Sequence, residues 1–474
     1  MKVLFVASES TPLVKVGGLA DVVGSLPKAL SGLGHDVRVM IPDYSVIDTG
    51  EYIPVNTEKN INVRSERFSE TVTIKEVTVN TTTYYLLDNA RFLHSREVYG
   101  EHELERFYFF CKAVISSLNN MTWKPDIVHC HDWHTALIPF WLKDEHSNAR
   151  SIFTIHNLAY QGSLSQSFLT DRTVMKSWQP RDKHGPEPLH NFMSIGILWA
   201  DMVTTVSERY AQEIITAEYG AGMEQLLLYR KNDLKGIING IDYEEYDPST
   251  DPLIYANYDS NHLIQRAKNK NALQKKSGLP EDEKVPLIGM VSRLDEQKGF
   301  DIVKDILDKL LNKMHCQMVI LGKGLEKYHS FFTLAADKYP QQIKVKIGFD
   351  DKLAHLIYSG CDMFLMPSRF EPCGLGQLIA MRYGAVPVVR HTGGLVDTVE
   401  ELSSDLGRGS GFVFEKYDAD SLYSVLKRAV KEYRNRSEEW QKMIQRIMLH
   451  DFSWHNSAKK YEAVYQQILT GRGG

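Results

Sequence analysis

The chain has 474 residues, 43% hydrophobic and 24% charged, with a formal net charge of −5. That length exceeds one ordinary compact unit and supplies apolar material for two cores. The acidic balance, without a dense Lys/Arg stripe, excludes a nucleic-acid partner tracked through its phosphates, and no run of about 18 apolar residues could span a membrane.

The first expected element is a strand at Val3–Ala7. Its apolar run is too short for a secretory signal core and meets Glu9 at once, so a cytoplasmic setting is expected. Further strands are expected at Val37–Ile41, Asp126–His131, Ser151–Ile155, Met202–Val206 and Leu234–Ile238. Thr71–Val79 and Tyr84–Leu87 alternate polar and apolar residues around Asn80-Thr81, the pattern of an inserted antiparallel hairpin. The stretch from Tyr160 to Pro188 is polar, Pro- and Gly-containing, and reads as a long functional loop. In the second half, strands are expected at Pro286–Val291, Gln317–Leu321, Ile343–Ile347, Met363–Met366, Val386–Val389 and Gly411–Phe414. Short apolar runs separated by helices imply parallel strands covered on both faces, a doubly wound α/β unit made twice. The junction is expected near Asp247-Pro248, with domains over 1–248 and 249–455. The five cysteines, Cys111, Cys130, Cys316, Cys361 and Cys373, contain no CxxC pair and fit reduced thiols.

Two glycine pairs echo each other: Gly17-Gly18-Leu19-Ala20-Asp21 and Gly393-Gly394-Leu395-Val396-Asp397. Each stands where a strand-end loop feeds a helix, whose open N–H groups favour an anion. Lys15 adds a cation to the first; a surface lysine beside a tight turn is the equally weighted alternative. Arg293 and Lys298 follow another strand, a pair suited to a departing diphosphate in a dry site, although either alone reads as a solvated turn. Glu371, in Ser368-Arg369-Phe370-Glu371-Pro372-Cys373-Gly374-Leu375-Gly376, is expected at the carboxyl edge of a parallel sheet, before a helix near Gly374. A carboxylate there can hold sugar hydroxyls, against the lesser reading of a helix cap. His129-Cys130-His131-Asp132-Trp133-His134 does not make a zinc site, since three or four ligands are needed and no CxxC or HxxxH accompanies it. Asp132 and His156-Asn157, at two strand ends, suit sugar hydroxyls on one rim.

Taken together, these blocks resemble the bacterial glycogen synthase and plant starch synthase family over nearly the whole chain. The matching pieces are Lys-Val-Gly-Gly-Leu-Ala-Asp-Val at 15–22, His-Asp-Trp-His at 131–134 and His-Asn-Leu-Ala-Tyr-Gln-Gly at 156–162. Ala-Asp-Met-Val-Thr-Thr-Val-Ser at 200–207, Asn-Gly-Ile-Asp at 239–242, Ser-Arg-Leu with Lys298, Pro-Ser-Arg-Phe-Glu-Pro-Cys-Gly-Leu at 367–375 and Thr-Gly-Gly-Leu-Val-Asp-Thr-Val at 392–399 complete the set. The resemblance implies the GT-B architecture, two Rossmann-like doubly wound domains facing across a deep cleft, with a terminal helix over 456–474 crossing back to the first domain. It implies retaining transfer of glucose from ADP-glucose to the non-reducing end of an α-1,4-glucan, such as glycogen or starch, without a metal or other cofactor. By matching position, Lys15 and Gly18 would meet the donor phosphates or nearby sugar, with Gly17 also at substrate, and Asp21, Asp132, His156 and Asn157 the glucose and acceptor. Asn239 would lie near the transferred glucose, and Arg293 and Lys298 at the departing diphosphate. Glu371 would hold glucose hydroxyls beside the N–H groups of Cys373, Gly374 and Leu375, with Thr392 and Gly393 also at substrate. Phe349 would stack on the adenine.

Three positions depart from the usual pattern. Val16 stands where threonine is common, Gly376 where threonine often adds a diphosphate contact, and Ile379 where more distant retaining transferases carry a second glutamate. A UDP-glucose-using transferase of the sucrose-synthase type is disfavoured by the Lys-x-Gly-Gly-Leu block at the N-terminus. A non-catalytic glucan scaffold is disfavoured by the intact charged set. A nicotinamide oxidoreductase lacks its GxGxxG after the first strand.

Overall fold

The computed structural model describes residues 1–47, 54–165, 168, 171–182 and 185–471. The chain forms two compact units, Met1–Gly240 with Trp454–Gly474, and Ile241–Ser453. Asp247, expected at the junction, lies inside the second unit, where its carboxylate accepts from Arg382 at 2.6 Å.

The described residues of unit 1 form nine strands: β1 (Lys2–Val6), β2 (Asp36–Pro42), β3 (Pro54–Arg64), β4 (Ser69–Val79), β5 (Thr82–Asp88), β6 (Ile127–His131), β7 (Arg150–Ile155), β8 (Met202–Thr205) and β9 (Leu234–Gly236). They form one sheet in the order β3-β4-β5-β2-β1-β6-β7-β8-β9. Pairing is parallel from β5 through β9, while β3-β4-β5 is antiparallel. The expected hairpin is β4-β5, turning at Asn80 with φ 52°, a left-handed conformation that asparagine tolerates. β3 has no counterpart among the expected strands. Only Ile61 and Val63 of its described side chains are buried, so it reads as a polar segment although it completes the edge of the sheet.

Strand alternation divides the core of unit 1 in two. Leu4 and Val6 join one apolar cluster, whereas Val3, Phe5 and Ala7 join another on the opposite face. The helix Gly18–Gly32 and the terminal helix Trp454–Thr470 pack together over the second face. Trp454, Ala458, Tyr461 and Tyr465 recur at helical spacing and are all buried there. Burial of each aromatic contributes about 2 kcal/mol. Tyr465 adds a hydrogen bond between its hydroxyl and His129 Nδ1 at 2.9 Å.

Unit 2 holds β10 (Leu287–Val291), β11 (Gln317–Gly322), β12 (Ile343–Ile347), β13 (Met363–Met366), β14 (Val386–Arg390) and β15 (Phe412–Phe414), in the order β12-β11-β10-β13-β14-β15. Every pairing is parallel. Covering helices supply apolar stripes; Phe300–Met314 buries Phe300, Val303, Ile306, Leu307, Leu310, Leu311 and Met314. All five cysteines are buried thiols outside any disulfide, and burial pushes those of Cys111, Cys316 and Cys361 up to about 12. Among the described residues no helix is long and apolar enough to cross a membrane.

Candidate active site

In unit 1 the candidate side chains sit after the carboxyl ends of β1, β6, β7 and β9, where open parallel sheets bind ligands. After β1, Gly17 is the N-cap of the helix Gly18–Gly32, and Lys15 Nζ pairs with Asp21 Oδ1 at 2.6 Å. Below this loop lies Glu9, a buried carboxylate absent from the residues expected at the site. Its Oε2 accepts from the backbone N–H groups of Val16 and Gly17, and its Oε1 from the Tyr99 hydroxyl at 2.9 Å. The amide of Gly17, expected at substrate, is therefore already held by a carboxylate. Burial raises the Glu9 carboxyl above the usual range, against those hydrogen bonds. Ser8 extends the network, its hydroxyl 3.0 Å from the Tyr99 hydroxyl and 3.4 Å from His134 Nδ1.

Asp132 follows β6 with φ 55° and ψ −179°, a conformation nearly exclusive to glycine. Backbone strain of this kind costs about 1–3 kcal/mol and persists where the surroundings enforce it. The enforcement is visible: Asp132 N–H donates to Thr154 O at 2.9 Å, and its Oδ1 accepts from His156 N–H at 2.8 Å. Burial pushes its carboxyl up to about 7, opposed by the hydrogen bonds from His156 and Asn157. His156, after β7, is held neutral by burial, its imidazolium pushed down to about 3. Its Nε2 lies 2.9 Å from Nδ1 of His131. Asn157 Oδ1 accepts from Ala159 N–H at 3.1 Å. Asn239, after β9, is buried with an Oδ1 that has no hydrogen-bond partner, an acceptor suited to a ligand hydroxyl. His129 has both ring nitrogens engaged, by Tyr465 and by Thr154 Oγ1 at 2.6 Å. Among the described residues no group of three or more His, Cys, Asp or Glu is placed to hold a metal.

Beside Trp133, unit 1 opens a recess of about 430 Å³ lined by His102, Glu103, Glu105, Tyr160, Gln161 and Gly162, with no lysine or arginine among the described residues of its wall. Gly162 has φ 63°, and a Cβ there would lie 2.3 Å from the Trp133 ring, so only glycine lets the loop close on the indole.

Unit 2 gathers its candidates after β10, β12, β13 and β14. Lys298 Nζ contacts both oxygens of Glu371, at 2.8 and 2.7 Å, and Ser368 Oγ donates to Oε2 at 2.8 Å. The pair is well shielded, 17% exposed at Lys298 and 4% at Glu371. Arg293, nearby in sequence, pairs with Asp295 at 3.3 Å and donates to Gln297 at 2.9 Å. The helix expected near Gly374 runs Gly376–Arg382 with Leu375 as N-cap. Gln377 Nε2 delays it by donating to the carbonyls of Cys373 and Gly374, which leaves residues 373–375 as a loop. Thr392-Gly393-Gly394 closes over this loop: Gly394 N–H donates to Glu371 O at 2.9 Å. A Cβ on Gly393, whose φ is 47°, would lie 1.9 Å from the same oxygen. Phe349 precedes the helix Asp351–Gly360 and is 83% exposed, an open aromatic face.

Residues 2–229 match the starch synthase catalytic domain and residues 269–446 match glycosyl transferases group 1. The glycogen synthase of Moorella thermoacetica is 44% identical over 482 residues, covering 100% of this chain and 98% of that protein. That of Bacillus subtilis is 42% identical, covering 99% and 98%. The catalytic domain of starch synthase IV from Arabidopsis thaliana, solved bound to ADP and acarbose, superposes with a TM-score of 0.90 at 33% identity, covering 99% of each chain. The sucrose-phosphate synthase of Thermosynechococcus elongatus, at 16% identity and a TM-score of 0.60, shares the fold. The chain belongs to the glycogen and starch synthase family of glycosyltransferases.

Proposed function

We propose that the chain transfers glucose from ADP-glucose to the non-reducing 4-hydroxyl of an α-1,4-glucan with retention at the anomeric carbon, releasing ADP. The Lys298–Glu371 pair carries this reading: a shielded carboxylate for sugar hydroxyls lies within 3 Å of a cation for the leaving phosphate. The bond from the anomeric carbon to the diphosphate oxygen breaks, and a bond to the acceptor oxygen forms on the same face. The acceptor proton leaves with the departing phosphate oxygen. Arg293 and Lys298 take up the charge that develops there, a stabilisation that two fixed cations can give without a metal. Asp132, His156 and Asn157 line the glucose, Asn239 Oδ1 accepts one of its hydroxyls, and Phe349 stacks on the adenine. The recess beside Trp133, whose described lining carries Glu103 and Glu105 and no cation, suits the neutral acceptor chain rather than the diphosphate. The ADP and acarbose bound to the Arabidopsis catalytic domain support a donor that leaves ADP and an acceptor of the saccharide class.

The test is the initial rate on glycogen with ADP-glucose against UDP-glucose, in EDTA, for wild type and Glu371→Ala. Metal-free transfer from ADP-glucose that the substitution abolishes is expected. A preference for UDP-glucose refutes the donor, and loss of rate in EDTA refutes the metal-free step.

A further inference from the structure

His131 belongs to no role assigned so far, yet it makes the sole contact to the His156 ring that the described residues show within hydrogen-bond distance. Its ring is fully buried, stacked on Phe5 at 5.2 Å and on His129 at 4.3 Å. Its Nδ1 faces His156 Nε2, and its own Nε2 has no partner. Burial and the neighbouring rings hold both histidines neutral, so the single proton between them sits on one nitrogen or the other.

The two arrangements differ in what they strand. If His156 Nε2–H donates to His131 Nδ1, the proton of His131 lies on Nε2, a buried N–H with no acceptor. If His131 Nδ1–H donates, the stranded atom is a bare acceptor nitrogen. Buried N–H groups without partners are the rarer of the two in folded proteins. We propose that His131 is a positioning residue that fixes His156 with its proton on Nδ1, presenting that ring to the sugar as a hydrogen-bond donor and never as an acceptor. The inference deepens the glucosyl-transfer reading and rests on it for the sugar, but not for the tautomer. Asp132 holds the other end of the same residue through the His156 N–H, so backbone and ring are oriented independently.

Imidazole-¹⁵N spectra of the full chain test the tautomer directly, with His156→Gln assigning the signal. His156 is expected to show a protonated Nδ1 and a bare Nε2; the opposite pattern overturns the proposal. His131→Phe keeps the stack and removes the donor, so kcat is expected to fall roughly 10- to 100-fold, as loss of a histidine's orienting partner typically does. The KM for ADP-glucose should move little. His131→Gln, which can offer an N–H toward His156, should recover most of the loss. A folded His131→Phe enzyme with unchanged kcat refutes the positioning role, and absence of transfer by the wild type refutes the parent reading while the spectra still decide the tautomer.

Discussion

Lys298→Met separates what the Lys298–Glu371 pair does for stability from what it does for catalysis. In the wild type the ammonium meets both carboxylate oxygens, and Ser368 is the carboxylate's other side-chain donor shown. Removing the lysine leaves a shielded negative charge with one hydroxyl for company, and breaking a buried pair in this way costs about 3–5 kcal/mol. Lys298 retains some exposure, which places the expected loss at the lower end, about 3 kcal/mol. Adding Glu371→Gln removes the stranded charge, so the double variant should regain most of that stability. Activity should not follow. Loss of one fixed charge at a developing anion lowers kcat by roughly 10²- to 10³-fold, and the double variant lacks the carboxylate as well. Urea unfolding at unchanged m-value reads the first quantity, and initial rates on glycogen the second. A double variant that recovers activity with stability would show the pair to be a structural strut and refute the catalytic assignment.

Three further outcomes are expected. Because the Asp132 carboxyl is raised from 3.8 to about 7, its ionisation opposes folding as pH rises between those values. Asp132→Asn should therefore match wild-type stability below pH 4, exceed it above pH 7, and remove a limb near pH 7 from the pH–rate profile; equal stability at both extremes refutes the burial argument. Gly393→Ala forces a Cβ to 1.9 Å from Glu371 O at a positive φ, so both thermal stability and kcat should fall, read by calorimetry and by rate. Tyr465→Phe deletes the hydroxyl bonded to His129 and should cost about 1 kcal/mol without touching kcat, measured by denaturation and rate.

The twelve apolar runs of the two sheets and the β4-β5 hairpin were legible because buried parallel strands leave continuous apolar runs and a hairpin leaves alternation. β3 was not, since an edge strand with one buried face resembles a polar loop. The strand-end rule singled out Lys15, Asp132, His156 and Glu371 as candidates because their motifs are local. Glu9 stands just beyond β1, and the same rule applied to every polar strand-end residue would have found it. Tyr99, far away in a loop, carries no such mark. His131 does stand at a strand end, as the last residue of β6, but its alternation with His129 makes it look structural. Their roles arise from contacts 90 and 25 residues apart.

The return of the last helix to unit 1 has a consequence for synthesis. A nascent chain exposes Met1–Gly240 first, yet the layer made by Trp454, Ala458, Tyr461 and Tyr465 emerges only at the end. Unit 2, continuous from Ile241 to Ser453, is thus complete while one face of the earlier unit's sheet still lacks the part of its cover that the last helix supplies. The amino-terminal unit begins first and finishes last, and its His129 waits for a hydroxyl made 336 residues later. A ribosome that stops short of Trp454 releases a protein with a whole second unit and an incompletely covered first, a substrate for chaperones rather than a smaller enzyme.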